Sequence, residues 1–210
     1  MTDKTEIRSF DEVRAVDNDE GKMIVEGVVN NIGEYSKVIY GSFRERISEG
    51  VFERALKRAK ESKRDVFFLA LHNARSLPLA SINSKTMELN EKDKKLYIRA
   101  ELPDTTQNRD IYTLVKAGVL REFSFGFGNV KCEWGKDENG IRTRTINELD
   151  LGEVSLVCTG AYNNTSAEAR GYNPYEEVKR QEESTNEESR ALQEKEYQYR
   201  KNILKIRGVK

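Results

Sequence analysis

The stretch LREFSFGFG at residues 120–128 sets aromatic side chains among small ones, which predicts a β-strand. Its glycines, Gly126 and Gly128, indicate either a bend or a point where another part of the chain closely approaches the backbone. Similar strand patterns recur on both sides of this stretch, so short strands dominate the predicted structure. They lie at residues 23–29, 65–71, 86–89, 96–102, 141–149 and 152–157.

Two amphipathic helices are predicted between these strands. In the first, apolar residues from Val51 to Ala59 share one face, and Ser48 is the expected N-terminal cap. The second covers residues 106–117 and is followed by Gly118, which suits the left-handed position after a helix C-terminus. The expected fold class is α+β or mainly β, with a small closed antiparallel β-barrel as its specific form.

The character of the sequence changes near Gly171. Beyond Pro174 the chain is dense in charged residues and poor in apolar ones. We therefore predict a folded domain over residues 1–170 and a charged extension over residues 171–210 that is a solvated helix or disordered.

The charge balance argues against nucleic acid as a partner. Thirty-six basic and 36 acidic residues give a formal net charge of zero, so the protein has no global positive field. The sequence shows no apolar signal region at its start, and no apolar run approaches the roughly 20 residues that span a bilayer. We expect a soluble protein with no membrane partner that stays in the compartment where it is made.

No metal or other cofactor is expected. The two cysteines, Cys132 and Cys158, do not form a disulfide framework, and with one histidine they do not form a zinc site. Ligand-loop spacings of acidic residues and glycine-rich phosphate loops are absent from the sequence. The basic residues in and after the first helix are expected to be a solvated face; they are Lys57, Arg58, Lys60, Lys63 and Arg64.

The sole histidine, His72, stands where an apolar run meets a polar loop. Imidazole is the side chain that most readily accepts and releases a proton near neutral pH. If the protein catalyses proton transfer, His72 is the first candidate for the general base. The alternative is a histidine with ordinary hydrogen bonds at the edge of a strand.

Two further residues are candidates for catalysis. Ser124 lies in the glycine-bearing strand, where a hydroxyl could act as a nucleophile; the alternative is an ordinary small residue in a crowded strand. Glu153 lies in a strand so apolar that its carboxylate needs a partner, and that partner is either an imidazole or an arginine. A thiolate from Cys132 or Cys158 paired with His72 ranks below Ser124.

Three segments of the sequence stand out together and in this order: residues 69–80, 118–127 and 149–157. With the support of residues 43–52, they resemble the prohead (capsid maturation) protease family of tailed bacteriophages. The resemblance covers about residues 20–170.

This resemblance implies a serine endopeptidase whose fold is akin to the herpesvirus assembly protease, a small β-barrel with surrounding helices. By position, Ser124 matches the nucleophile, His72 the general base and Glu153 the third member of a triad. The implied substrates are scaffolding segments, those of the major capsid protein included, and the protease itself. The implied location is the immature capsid, or prohead, in the host cytoplasm. A homo-oligomer is compatible with the sequence.

One departure from the family pattern favours an alternative function. The family often has an aspartate directly after the histidine, but here the order is Leu71, His72, Asn73. The imidazole then depends on Glu153 or on another group for its orientation. The alternative is a non-catalytic scaffold or capsid-associated structural protein that keeps the same fold.

Overall fold

The structure, a computed structural model, describes residues 6–11, 13–16, 21–39, 41–158, 174–180 and 183. The chain divides into two compact units, Met1–Tyr172 and Asn173–Lys210. In the second unit residues 174–180 are helical, and most of the predicted charged extension lies outside the described residues. Within the described part of the chain, no helix has the length and apolar character needed to cross a membrane.

The described part of the first unit consists mainly of strands. In chain order its elements are β1 (Glu6–Asp11), β2 (Val13–Val16), β3 (Met23–Asn31), β4 (Phe43–Ile47), α1 (Val51–Glu61), β5 (Phe67–Ala70), β6 (Ala80–Ser81), β7 (Met87–Lys92), β8 (Lys95–Leu102), α2 (Thr106–Lys116), β9 (Glu122–Lys136) and β10 (Arg142–Val157).

These strands form two sheets. The larger has the order β1-β9-β10-β5-β6, and β4 also pairs with β10; the smaller has the order β2-β3-β8-β7. The long strand β10 is central to the larger sheet. It runs antiparallel to β9 and parallel to both β4 and β5. The parallel pairing with β5 brings the chain that follows Ala70 next to the last residues of β10.

The aromatic residues of the opening sequence stretch form the centre of the core. Phe123, Phe125 and Phe127 are fully buried on one face of β9. Phe125 meets Phe52 of α1 edge to face, with 5.5 Å between ring centroids. One continuous hydrophobic cluster includes side chains from both sheets and from α1. The small residues of this stretch alternate with the phenylalanines and therefore lie on the opposite face of β9.

The N-terminus of α1 differs from the prediction. Ser48 is not the cap, because its Oγ donates to Asn147 Oδ1 at 2.8 Å, and the cap residue is Gly50 with φ of 74°. The carboxylate of Glu91 in β7 accepts the backbone N–H groups of Gly50 and Glu53, at 2.5 and 3.1 Å. A carboxylate from a neighbouring strand thus takes the role expected of the serine.

The termini of α2 follow local rules. Thr105 caps the N-terminus, where its hydroxyl accepts the Asn108 N–H at 3.1 Å. At the other end Gly118 has φ of 71°, its N–H donates to Val115 O, and the next N–H donates to Leu114 O. This is a Schellman motif, and the predicted position of the terminating glycine is correct.

The expected closed barrel is wrong for the part of the chain that the structure describes. A barrel requires its end strands to pair with each other, but one sheet ends at β1 and β6 and the other at β2 and β7. The strand β6 has only two residues, which is too short to continue the hydrogen-bonded ladder. The mainly β character with few helices is as expected.

Four buried charged side chains join β1 to the rest of the larger sheet. Arg8 Nε donates to Glu45 Oε1 at 2.6 Å, and Arg8 Nη2 donates to Glu6 Oε2 at 2.9 Å. Arg144 Nη1 donates to Glu45 Oε2 at 2.7 Å, and its Nη2 donates to Glu6 Oε1 at 2.9 Å. Burial is the largest influence on the pKa of Arg144 and lowers it, but the two glutamates together raise that pKa above its usual value. Two guanidinium groups face two carboxylates, so the buried charge is balanced.

Candidate active site

The backbone at His72 has an unusual conformation. Leu71 and His72 both have φ of 54°, in the left-handed region that residues other than glycine seldom adopt. The Leu71 N–H donates to Leu156 O at 2.9 Å, and the Asn73 N–H donates to Ala70 O at 3.0 Å. These bonds hold the turn closed against the end of β10. Backbone strain of this kind costs about 1–3 kcal/mol per residue, so the conformation at Leu71 and His72 depends on these bonds.

His72 and Glu153 form a direct pair. His72 Nδ1 lies 2.6 Å from Glu153 Oε1, and the two side chains are 20% and 15% exposed. A carboxylate at Nδ1 fixes the imidazole tautomer with its proton on that nitrogen, which leaves Nε2 to accept a proton. The interpretation of Glu153 as an imidazole partner rather than an arginine partner agrees with this geometry.

A β-bulge turns Glu153 away from the core. Leu151 is opposite Phe127, Glu153 is opposite Gly126, and the register shifts between these two positions. In a regular strand Leu151 and Glu153 would share a face, and the carboxylate would point at the phenylalanines. The extra residue, Gly152, re-aims the side chain to the other face of the sheet.

The glycine at position 126 provides the space for this carboxylate. A Cβ atom built on Gly126 would lie 2.5 Å from Glu153 Oε1 and 3.2 Å from its Cδ and Cγ atoms. No side chain larger than hydrogen fits there without moving the glutamate. The close approach to the backbone expected from the glycines of this strand is therefore present at Gly126.

Ser155 is a site residue that the sequence reasoning missed. Its Oγ donates to Glu153 Oε2 at 2.5 Å and accepts the His72 backbone N–H at 3.3 Å. The side chain is fully buried. A signal was present in the sequence, because residues two apart on a strand share a face, and Ser155 follows Glu153 by two.

Ser124 has a different partner. It is fully buried, and its Oγ donates to the backbone oxygen of Arg8 in β1 at 2.7 Å. Its position in β9 is directly opposite Ser155 in β10, so both serine side chains lie on the face of the sheet that carries Glu153. Among the hydrogen bonds of the described residues, neither serine hydroxyl is bonded to the imidazole ring of His72.

The two cysteines do not contact the histidine through any hydrogen bond of the described residues. Cys132 Sγ accepts a hydrogen bond from Arg144 Nε at 3.3 Å, and Cys158 is exposed. Both thiols are free. Within the described ranges, no group of three or more His, Cys, Asp and Glu side chains could hold a metal ion.

The arrangement contains the components of general acid–base catalysis at a hydroxyl. The imidazole is oriented by a carboxylate, the carboxylate is held by a second hydroxyl, and two serines are within the same patch of strands. A carboxylate–imidazole pair next to a serine is the arrangement on which serine hydrolases rely.

The sequence matches the caudovirus prohead serine protease family over residues 10–181. This match covers most of the chain, and the chain belongs to that family. The family predicted from the ordered segments around His72, Ser124 and Glu153 is therefore confirmed.

The chain is also similar to individual proteins. The prohead protease of Escherichia phage T5 is 34% identical over 73 residues, which are 35% of this chain and 33% of the T5 protein. The match thus spans about a third of the length of that relative. The solved structure of the bacteriophage T4 capsid assembly protease aligns with a TM-score of 0.46 and 12% identity, over 73% of this chain and 98% of the T4 chain.

Proposed function

We propose that the protein is a serine endopeptidase of capsid maturation. It cleaves scaffolding segments of the major capsid protein, and itself, inside the prohead within the host cell. The observation that carries this proposal is the 2.6 Å contact between His72 Nδ1 and Glu153 Oε1 beside two buried serines. Membership of the prohead protease family supports the reaction class and the place of action.

In the proposed mechanism Ser124 is the nucleophile. Its Oγ attacks the carbonyl carbon of the scissile peptide bond, and His72 Nε2 takes the hydroxyl proton. His72 then returns that proton to the departing amine, and the carbonyl remains attached to the serine as an ester. Water, deprotonated by the same nitrogen, hydrolyses the ester and regenerates Ser124. Glu153 stabilises the imidazolium in both halves of the cycle.

This role requires the Ser124 hydroxyl to exchange its bond with Arg8 O for a bond to His72 Nε2. Rotation about one side-chain torsion redirects a serine hydroxyl. Catalytic hydrogen bonds are often long or misaligned before substrate binds, so the hydrogen bond to Arg8 O is compatible with the proposal.

Ser155 is the second candidate nucleophile. The observation in its favour is direct contact with both members of the pair, at 2.5 Å from the Glu153 carboxylate and 3.3 Å from the His72 backbone nitrogen. Its hydroxyl already donates to Glu153, however, and this bond also suits a positioning residue that holds the carboxylate for His72. Substitution of a nucleophile and substitution of a positioning residue are expected to reduce cleavage by different amounts.

Separate alanine substitutions distinguish the two roles. With Ser124→Ala we expect cleavage of co-expressed capsid protein to fall by about 10⁴-fold or more, because the nucleophile is gone. With Ser155→Ala we expect a partial loss of about 10- to 100-fold, the usual effect of removing an outer hydrogen-bond partner. Ser48→Ala, at a serine bonded to Asn147, is the matched control and should cleave normally. Abolished cleavage in Ser155→Ala together with active Ser124→Ala would move the nucleophile to Ser155.

A fluorophosphonate probe distinguishes the protease from the non-catalytic scaffold protein. This reagent labels a serine only when a neighbouring base activates the hydroxyl. We expect mass spectrometry to find the label on Ser124 in the wild-type protein and a much reduced level in Glu153→Gln. An unlabelled wild-type chain that is folded by circular dichroism would support the scaffold function instead.

A further inference from the structure

A groove of about 880 Å³ lies between α1 and β7. The segment after α1 and the loop before β7 complete its walls. None of the candidate active-site residues lines this groove. The proposed peptidase mechanism therefore leaves it without a role.

The floor of the groove is apolar. Leu56 from α1, Ile82 from the loop and Leu89 from β7 are each half-buried and pack against the hydrophobic core. Met87 and Val66 lie beside them and are buried. The accessible parts of these side chains form a concave apolar surface, which favours contact with apolar side chains of a ligand.

The rim of the groove is basic. Lys57, Lys60 and Lys85 are exposed, and none of them has an ion-pair partner among the described residues. The fourth cation, Arg64, pairs with Asp150 at 3.2 Å. The only acidic residue lining the described groove is Glu88.

We propose that this groove docks an acidic amphipathic segment of a partner protein. The apolar floor accommodates leucine-like side chains, and the three lysines face carboxylates along the edges of the bound segment. An amphipathic helix with apolar residues at spacings of three and four presents these two kinds of side chain in that arrangement. The sequence predicted that Lys57 and Lys60 belong to a solvated helix face. In the structure these exposed lysines also border an apolar groove, and the proposal gives them a binding role. The proposal is independent of the peptidase activity.

Fluorescence anisotropy with a defined probe tests the charge requirement. The probe is a fluorescein-labelled synthetic helix of 14 residues with leucines on one face and glutamates on the other. The control peptide has lysine in place of every glutamate. The full-length protein carries Ser124→Ala and Ser155→Ala, so cleavage of the probe cannot affect the reading. We expect the acidic peptide to bind at least about tenfold more tightly than the basic one, and to weaken as salt rises. Equal binding of both peptides would overturn the proposal.

Charge reversal on the rim tests the location. In this background, Lys57→Glu with Lys60→Glu should weaken binding of the acidic peptide by about tenfold. The control, Lys37→Glu with Lys136→Glu, makes the same change of net charge at exposed lysines outside the groove and should bind normally. An equal loss in both double variants would show a general charge effect and refute the assignment.

Sedimentation velocity tests whether a second copy of this chain, rather than an acidic partner, occupies the groove. We expect the same sedimentation coefficient for the protein with and without Lys57→Glu and Lys60→Glu. A dimer that dissociates only in this double variant would assign the groove to self-association and overturn the proposed acidic partner.

Discussion

Gly126 lies under the Glu153 carboxylate, and Gly126→Ala is the sharpest test of that carboxylate's position. The added Cβ would lie 2.5 Å from Glu153 Oε1, whereas ordinary contacts begin near 3.4 Å. The carboxylate must move by about 0.9 Å to regain an ordinary contact, and we expect a displacement of this size to disrupt its 2.6 Å hydrogen bond with His72 Nδ1. A misplacement of about 1 Å in a catalytic group costs about 10²-fold in rate, and we expect cleavage to fall by that factor.

The fold should tolerate this substitution better than the activity does. The contacts of the new methyl are with a glutamate side chain that can move, so we expect a loss of about 1–3 kcal/mol in the free energy of unfolding. Gel densitometry of capsid-protein cleavage measures the rate, and denaturant unfolding measures the stability. Gly135→Ala in the same strand is the matched control, because its Cβ would lie 3.2 Å from Thr143 Oγ1, outside the site. Wild-type cleavage by Gly126→Ala would refute the role given to the carboxylate.

Two further predictions concern charges outside the reaction itself. Glu45→Ala leaves the guanidinium groups of Arg8 and Arg144 with one carboxylate fewer in a buried site, so the free energy of unfolding should fall by about 3–5 kcal/mol in urea titrations. A loss below about 1 kcal/mol would show that water relieves the unpaired charge. For Asp150, burial raises the pKa, but hydrogen bonds and nearby cations such as Arg64 outweigh it and lower the pKa below 3.8. Because the folded-state pKa is lowered, the stabilisation is complete above the unfolded-state pKa and is lost as pH falls through the folded-state pKa. Asp150→Asn should therefore cost about 0.5–1 kcal/mol at pH 7, and the difference from wild type should shrink in acid unfolding below about pH 4. A difference that stays constant from pH 7 to pH 2 would contradict this.

Local sequence patterns predicted most of the strands and helices, because neighbouring residues in the sequence determine where these elements form and end. The alternation of phenylalanines with small residues in 120–128 is sufficient for a strand with one aromatic face. Gly118 is sufficient for the end of α2, since the backbone there needs a positive φ. The cap of α1 could not be predicted in the same way, because it depends on Glu91, a residue 41 positions away in the chain. Whether the sheets close into a barrel could not be predicted locally either, because closure depends on pairing between strands that are distant in the sequence.

The parts of the candidate site that could be predicted are those whose residue type alone indicates a chemical role. A carboxylate in an apolar strand and a lone histidine indicated a pair, and the structure places His72 and Glu153 in contact. The bulge that turns Glu153 to that position had one signal in the sequence, the in-strand Gly152, but such a glycine does not distinguish a bulge from a close approach of the backbone. Ser155 could have been identified from its spacing to Glu153, but a small residue in a buried strand does not stand out. The bond from Ser124 to Arg8 depends on the pairing of β1 with β9, which the sequence pattern did not reveal.

The buried charge network has a consequence for when the site can form. Arg144 reaches Glu6 across 138 positions of sequence, and Ser124 reaches Arg8 across 116. Contacts between such distant parts of a chain are the slow ones in folding. The first described strand, although synthesised first, must therefore wait for β9 and β10 to leave the ribosome before it can dock. Under the proposed function, the candidate site, whose Glu153 lies in β10, is therefore complete only after synthesis through β10 is finished and β1 has docked.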